Sequence, residues 1–337
     1  ADVCRVCHAL AGRLMPPDVS VAFDGLEPPD VVRATARDAE AAGARSLWFA
    51  AHLFNREPIA TAACALAATS RIKVALMALS PYTVHPVYAA MAAATLDEWF
   101  PGRVELCLGV GAPRDLEAAG VATPHPERTL RESLAIVRAL LAGETVTHEG
   151  TQFHVQGRRL ATGARTVPLI LAASGPRMLA LAGRAADGVL ISAATSPEFI
   201  GWTLEQVSAG EQSGARRVRR IALVLVAMDV LPDRAHARLR RRLGFILRGG
   251  HHAPNLRLAG TTLDQAAVSD AYAQEDWARV DALVTDDVVR RHAASGTPVD
   301  VREALRKYRA IGLDEIVFSG VAGRTDLAAI LDVAQGV

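Results

Sequence analysis

The chain of 337 residues is half hydrophobic, and its 37 Lys and Arg nearly balance 36 Asp and Glu, for a net charge of +1. Such a balance provides no global field to draw nucleic acid or an anionic membrane, so neither is expected as a partner. No apolar run approaches the ~20 residues that cross a bilayer, and no signal peptide opens the chain, which reads as a soluble cytoplasmic protein. In chain order, residues 1–17 read as an N-terminal extension in which Cys4, Cys7 and His8 make C-x-x-C-H, the spacing of a covalent haem site. Nothing else suggests an exported electron carrier, so a chance pattern is the better reading. Cys64 and Cys107 stand in apolar contexts and read as small core residues, and four cysteines in so long a chain do not suggest a disulfide framework.

Val19–Phe23 is a short β-type run, followed by a helix over Pro28–Ala42 that Gly43 ends. Ser46–Ala50 gives strand two, Pro58–Thr69 helix two, Ile72–Leu79 strand three, Val87–Trp99 helix three and Val104–Val110 strand four. Thr129–Leu141 is a periodic helix, Thr145–Leu160 an exposed β-type excursion, and Val167–Ala172 strand five. Helices over Pro176–Ala186, Pro197–Ser213 and Asp233–Leu247 alternate with strands over Gly188–Ser192 and Ile221–Val230. From Gly249 to Pro298 the pattern loosens into loop and helical pieces, before a last helix at Val301–Ile311 and strand at Glu315–Ser319. Fully apolar strands alternating with helices point to a closed (β/α)8 TIM barrel over residues 18–337, with an insertion at about 249–298 before the last strand.

Active sites of such barrels form at the C-terminal ends of the strands, which directs attention to the loops there. His52, after strand two, is the strongest acid–base candidate, with a satisfied structural histidine as the alternative. After strand five, Ala173-Ser174-Gly175-Pro176-Arg177 joins a buried strand to a helix start, where exposed N–H groups and the helix dipole favour an anion. An ordinary strand–helix turn is the alternative, and Ser192–Ser196 after strand six could bind the same anion. Gly109-Val110-Gly111 is a fragment of a dinucleotide fingerprint without its third glycine or acidic residue, so no Rossmann site is read. Arg216, Arg217, Arg219 and Arg220, and Arg238, Arg240, Arg241 and Arg242, invite an anion-binding reading, although the second group is mostly the polar face of a helix, for which solvation is the usual role. His251-His252 lacks further ligands at metal spacing, and no metal is expected.

The stretch Ile72–Gly111, with Pro81-Tyr82, Pro86, Leu96-Asp97 and the Gly102-Arg103 turn, resembles the luciferase-like superfamily of flavin- and deazaflavin-dependent oxidoreductases. Within it the nearest look is that of the methylenetetrahydromethanopterin reductases, and the match runs along most of the chain. The resemblance implies that Ser174, Gly175, Pro176, Arg177 and Met178 hold the phosphate of the cofactor, with Ser192 near its tail. It implies a non-proline cis peptide at Met77-Ala78, forming with Leu79 a bulge behind the central ring, and a close approach of that ring to Gly109 and Gly111. His52 matches the family histidine, but Ala51 stands in place of the aspartate before it. Glu27 matches a carboxylate kept near the ring, while a second one falls on Ala22. The implied function is an oxidoreductase that transfers hydride between C5 of coenzyme F420 and a small organic substrate, reducing a C=C, C=N or C=O bond or the reverse. Alternatives are a two-component monooxygenase using FMN from a partner flavin reductase, and a barrel that has lost catalysis and only binds a ligand. The substrate would be capped by the insertion, including Trp277, and a homodimer is implied.

Overall fold

The structure, a computed structural model, describes residues 18–213, 216–321 and 324–336, so the Cys4-x-x-Cys7-His8 pattern lies outside the described residues. The first half runs β1 (Asp18–Phe23), α1 (Pro29–Ala41), β2 (Ser46–Ala50), α2 (Pro58–Ala68), β3 (Lys73–Leu79), α3 (Pro86–Trp99), β4 (Val104–Leu108), α4 (Pro113–Ala118) and α5 (Pro126–Leu141). A hairpin of β5 (Val146–Glu149) and β6 (His154–Arg158) leads to β7 (Leu169–Ala172), α6 (Pro176–Ala185), β8 (Gly188–Ile191), α7 (Pro197–Glu211), β9 (Arg219–Met228) and α8 (Pro232–Leu247). After a 3₁₀ turn at Gly250–His252 come α9 (Ala253–Leu258), α10 (Gln265–Ala273), α11 (Trp277–Leu283), α12 (Asp286–His292), β10 (Ala294–Gly296), α13 (Pro298–Ala310), β11 (Glu315–Ser319) and α14 (Arg324–Gln335).

Strands β1, β2, β3, β4, β7, β8, β9 and β11 pair in that order, all parallel, and β11 returns to β1 to close a (β/α)8 barrel. β10 adds to β9 outside the ring. Proline opens helix after helix, with Pro29, Pro58, Pro86, Pro126, Pro176, Pro197, Pro232 and Pro298 in first turns. There the missing N–H is no loss and the fixed φ suits the helix. Four of these helices therefore begin earlier than the apolar period indicates, because the period does not register Pro86, Pro126, Pro232 or Pro298. The short helix α4 and the C-terminal helix α14 are additions to the sequence reading.

Strand residues alternate between two environments. Leu47, Phe49, Val74, Leu76, Val104 and Leu106 face the helices in the main core, while Trp48, Ala75, Met77, Cys107, Ile170, Ile221 and Val317 fill the barrel interior. Glu105 and Glu315 are buried at the interior's N-terminal end, held by Arg219 at 3.0 Å and Arg45 at 2.9 and 3.2 Å. Trp48 Nε1 donates to Ser46 Oγ and Glu315 Oε1, both at 2.9 Å, closing that end. Burial alone would raise the Glu105 carboxyl, but Arg219 and Arg45 outweigh it and bring it down to about 2. The insertion forms a second core with α8, in which Leu239, Leu243 and Leu247 meet Val280, Val284, Val288 and Val289.

The Met77–Ala78 bond is trans, and no cis peptide occurs among the described residues, which corrects the expectation of a cis bond there. Local sequence does not impose the costly cis form. The expected bulge is present all the same: Leu76 opposes Leu106 and Leu79 opposes Leu108, so β3 carries an extra residue across this step.

Candidate active site

At the C-terminal mouth the barrel lining ends in small side chains. Ala22, Ala78 and Ala172 lie there half-buried with Leu223, so small apolar side chains line the mouth. Gly109 is part of the same construction. A Cβ on it would stand 3.0 Å from Ala78 Cβ and 3.2 Å from Ala172 Cβ, so the bulged β3 and β7 close over β4 only because this residue has no side chain. Gly111, at φ 102, turns the chain out of β4 in a conformation that suits glycine.

His52 lies in the loop after β2 with its side chain 48% exposed, and its Nδ1 is 3.3 Å from Asp115 Oδ2 in α4. That carboxylate was not legible in the sequence, because α4 is short and its charges look like any solvated face. It gives His52 a partner from a different strand's loop, where Ala51 offers none. Beside the pair, Arg114, Asp115, Glu117 and Ala118 face Phe245 of α8 across a cleft of about 450 Å³, and the Arg114 guanidinium sits 5.2 Å from the Phe245 ring centroid. Phe54, in the loop with His52, is exposed and adopts a left-handed φ of 68°, a conformation costly for a residue with a Cβ.

Glu27 is turned back on its own loop. Its carboxylate accepts from the Gly25 N–H at 3.0 Å and the Asp24 N–H at 3.3 Å, so it shapes the turn after β1. Asp24 in turn pairs with Arg242 of α8 at 2.5 and 2.7 Å, and Arg242 also donates to Ser319 Oγ at 2.9 Å. Arg242 thus ties the ends of β1 and β11 to α8.

On the other side of the mouth, α6 begins at Gly175 with no side-chain cap. Ser174, Pro176 and Arg177 are exposed, Met178 is half-buried, and nothing lies within 4 Å of where a Gly175 Cβ would be. By contrast Ser196 caps α7, accepting from Phe199 N–H at 3.2 Å. The N–H groups of the first α6 turn are therefore presented to an open space, an arrangement suited to an anion. α6 itself is fixed against α7 by Gly183 and Gly210, where a Cβ would collide with Val207 O and Ala180 O. Ser192 is exposed next to this turn, its hydroxyl directed to Ala193 O at 3.2 Å.

Of the arginine runs, Arg242 reaches the mouth, through Asp24 and Ser319, and it is paired there. Arg217, Arg219 and Arg220 pair with Asp314, Glu105 and Glu211 at 2.9, 2.5 and 3.2 Å, and Arg216 with Asp187, towards the N-terminal end of the barrel. Arg240, Arg241 and Arg242 pair with Asp286, Asp281 and Asp24, and Arg238 with Asp326. Each is an ion-pair partner, which speaks against a free anion site, and Arg238 and Arg241 stand on the exposed polar face of α8, as the solvated-face reading has it. Among the described residues Asp233, His236 and Asp286 bring donor atoms within 4.8 Å of one another, but Arg240 Nη2 at 2.6 Å from Asp286 Oδ1 already supplies positive charge there.

The profile of the luciferase-like monooxygenase family matches residues 11–315. A 5,10-methylenetetrahydromethanopterin reductase of Methanolobus tindarius is 31% identical over 302 residues, covering 88% of this chain and 91% of the relative. An F420-dependent glucose-6-phosphate dehydrogenase of Beutenbergia cavernae is 32% identical over 275 residues, covering 80% and 77%. The solved coenzyme F420-dependent tetrahydromethanopterin reductase of Methanopyrus kandleri superposes with a TM-score of 0.87 at 21% identity, over 94% of this chain and 98% of that one, which shows the shared fold.

Proposed function

The chain belongs to the luciferase-like monooxygenase family and is an oxidoreductase, and from that premise we propose that it uses coenzyme F420 to reduce or oxidise a small organic substrate at a C=C, C=N or C=O bond. The observation that carries this reading is the small apolar lining of Ala22, Ala78 and Ala172 at the mouth, together with the His52–Asp115 pair and the uncapped N-terminus of α6 at the same ends of the strands. Small side chains leave room for a flat ring, and the uncapped helix accepts a phosphate. When bound, the deazaflavin supplies the hydride.

The chain's own residues orient the reactants and handle the proton. The N–H groups of the first α6 turn and the Ser174 and Ser192 hydroxyls hold the phosphate end, and Gly175 keeps the approach open. Asp115 engages Nδ1 of His52, which fixes the ring and leaves Nε2 to exchange a proton with the substrate. Glu27 acts by holding the turn after β1, which carries the exposed Leu26 to the mouth. The insertion caps the substrate, and the work is that of a cytoplasmic homodimer.

A second reading, the monooxygenase that takes reduced FMN from a partner reductase, is favoured by one observation. The eight arginines of the two runs are engaged in ion pairs, so they do not form a basic groove for the acidic tail of F420. Titration of the cofactor-free protein with F420 and with FMN, followed by fluorescence quenching, separates the two. Micromolar F420 binding with FMN at least about tenfold weaker supports the first reading, the reverse preference supports the second, and no binding of either sinks both.

A further inference from the structure

Ala194, in the turn between β8 and α7, is held in the left-handed region at φ 61 although it carries a Cβ and is only 1% exposed. A single residue in that conformation needs its surroundings to keep it there. The surroundings are three buried side chains from beyond α8. Asn255 of α9 donates through Nδ2 to Ala194 O at 2.8 Å and accepts from Ser196 N–H through Oδ1 at 3.0 Å. His292 of α12 donates from Nδ1 to the same Ala194 O at 3.1 Å, and its Nε2 accepts from Thr261 Oγ1 at 2.8 Å, which fixes that tautomer. Tyr308 of α13 donates its hydroxyl to Thr195 O at 3.2 Å. Three successive residues of the turn are thus gripped by side chains that are themselves no more than 2% exposed.

We propose that Asn255, His292 and Tyr308 are positioning residues that set the turn at 192–196 for the phosphate end of the cofactor, so that the insertion which caps the substrate also shapes the cofactor site. This rests on the F420 reading above. The turn stands next to the open end of α6, because β7 and β8 are paired neighbours and Ala173 N–H donates to Leu190 O at 3.2 Å. The grip lies wholly in the backbone of the turn, leaving the exposed Ser192 hydroxyl to face a ligand. Loss of Asn255 removes a donor and an acceptor together, and the turn then relaxes out of the left-handed conformation. Glycine at 194 holds that conformation without a Cβ penalty, so it compensates for a missing anchor.

The test compares wild type, Asn255→Ala, Ala194→Gly and the double variant. In cofactor-free protein, amide exchange at Thr195 and Ser196 is expected to rise about tenfold or more in Asn255→Ala, and F420 affinity to fall about tenfold. Both changes are expected to be partly reversed in the double variant, a rescue that general destabilisation does not show. Tyr308→Phe, which removes one hydroxyl and keeps the ring, gives the same signature on a scale of about threefold and serves if Asn255→Ala does not fold. Unchanged exchange at 195–196, or affinity lost without rescue and only in step with the melting temperature, would overturn the proposal. If wild type binds no F420 the cofactor reading fails by itself, and the exchange rates alone still decide whether Asn255 holds the turn.

Discussion

His52 and Asp115 meet at the barrel mouth, Nδ1 to Oδ2 at 3.3 Å, although 63 positions separate them in the chain. The histidine comes from the loop after β2 and the carboxylate from α4, which follows β4, so the pair exists only once β2, β3 and β4 lie side by side. A carboxylate on Nδ1 fixes which nitrogen is left for proton exchange. It also weakens the case for a barrel that has lost catalysis, which the alanine at 51 had raised.

Replacing His52 by Asn is expected to lower turnover about 10²- to 10⁴-fold while F420 affinity changes less than about threefold. Asp115→Asn should lower turnover by a smaller factor, about tenfold. Steady-state kinetics beside a binding titration checks both, and unchanged turnover in His52→Asn removes the histidine from the reaction.

Gly175→Asp places a carboxylate at the open N-terminus of α6, where it caps the helix and repels a phosphate. F420 affinity is expected to fall at least about tenfold, or about 1.4 kcal/mol, with the melting temperature unchanged or raised. Equal affinity in the two proteins would put the phosphate elsewhere.

Glu105→Gln leaves Arg219 and Arg45 short of a buried carboxylate in the barrel floor. Removing one partner of such a network destabilises by about 3 kcal/mol, read in urea unfolding at neutral pH. Because the folded carboxyl titrates near 2, below its ordinary 4.5, its contribution is complete above about 4.5 and is lost as pH falls towards 2.

Two buried histidines produce a separate acid effect at higher pH. Burial, with the nearby charges of His251 and His292, pushes His252 down to about 3, and burial pushes His292 to about 4, both from 6.5. The unfolded chain binds these protons first, so this stability is full above about pH 6.5 and is lost as pH falls towards 4. Urea midpoints between pH 7 and 4 should fall more steeply for wild type than for His292→Gln, and parallel slopes would refute the assignment.

The barrel was legible because its strands are largely buried on both faces and several read as continuous apolar runs, as in Leu169–Ala172 and Gly188–Ile191. The positions of His52 after β2 and of Ala173–Arg177 at the β7–α6 junction followed from strand ends alone. What did not follow depends on partners distant in the chain. Asp115 looks like a surface acid until α4 meets the β2 loop, and Arg219 looks like part of a basic run until β9 turns it into the interior beside Glu105. Likewise Asn255 and His292 have no local signal, since the turn they hold belongs to a barrel repeat some sixty residues earlier for Asn255, whose bond to Ala194 spans 61 positions.

The most direct measurement is a crystal structure of the protein soaked with F420. The ring is expected over Ala22, Ala78 and Ala172, with His52 at its edge and phosphate oxygens about 2.7–3.2 Å from the backbone nitrogens of the first α6 turn. A ring bound outside the barrel mouth, or a phosphate held away from Ser174–Met178, would contradict it.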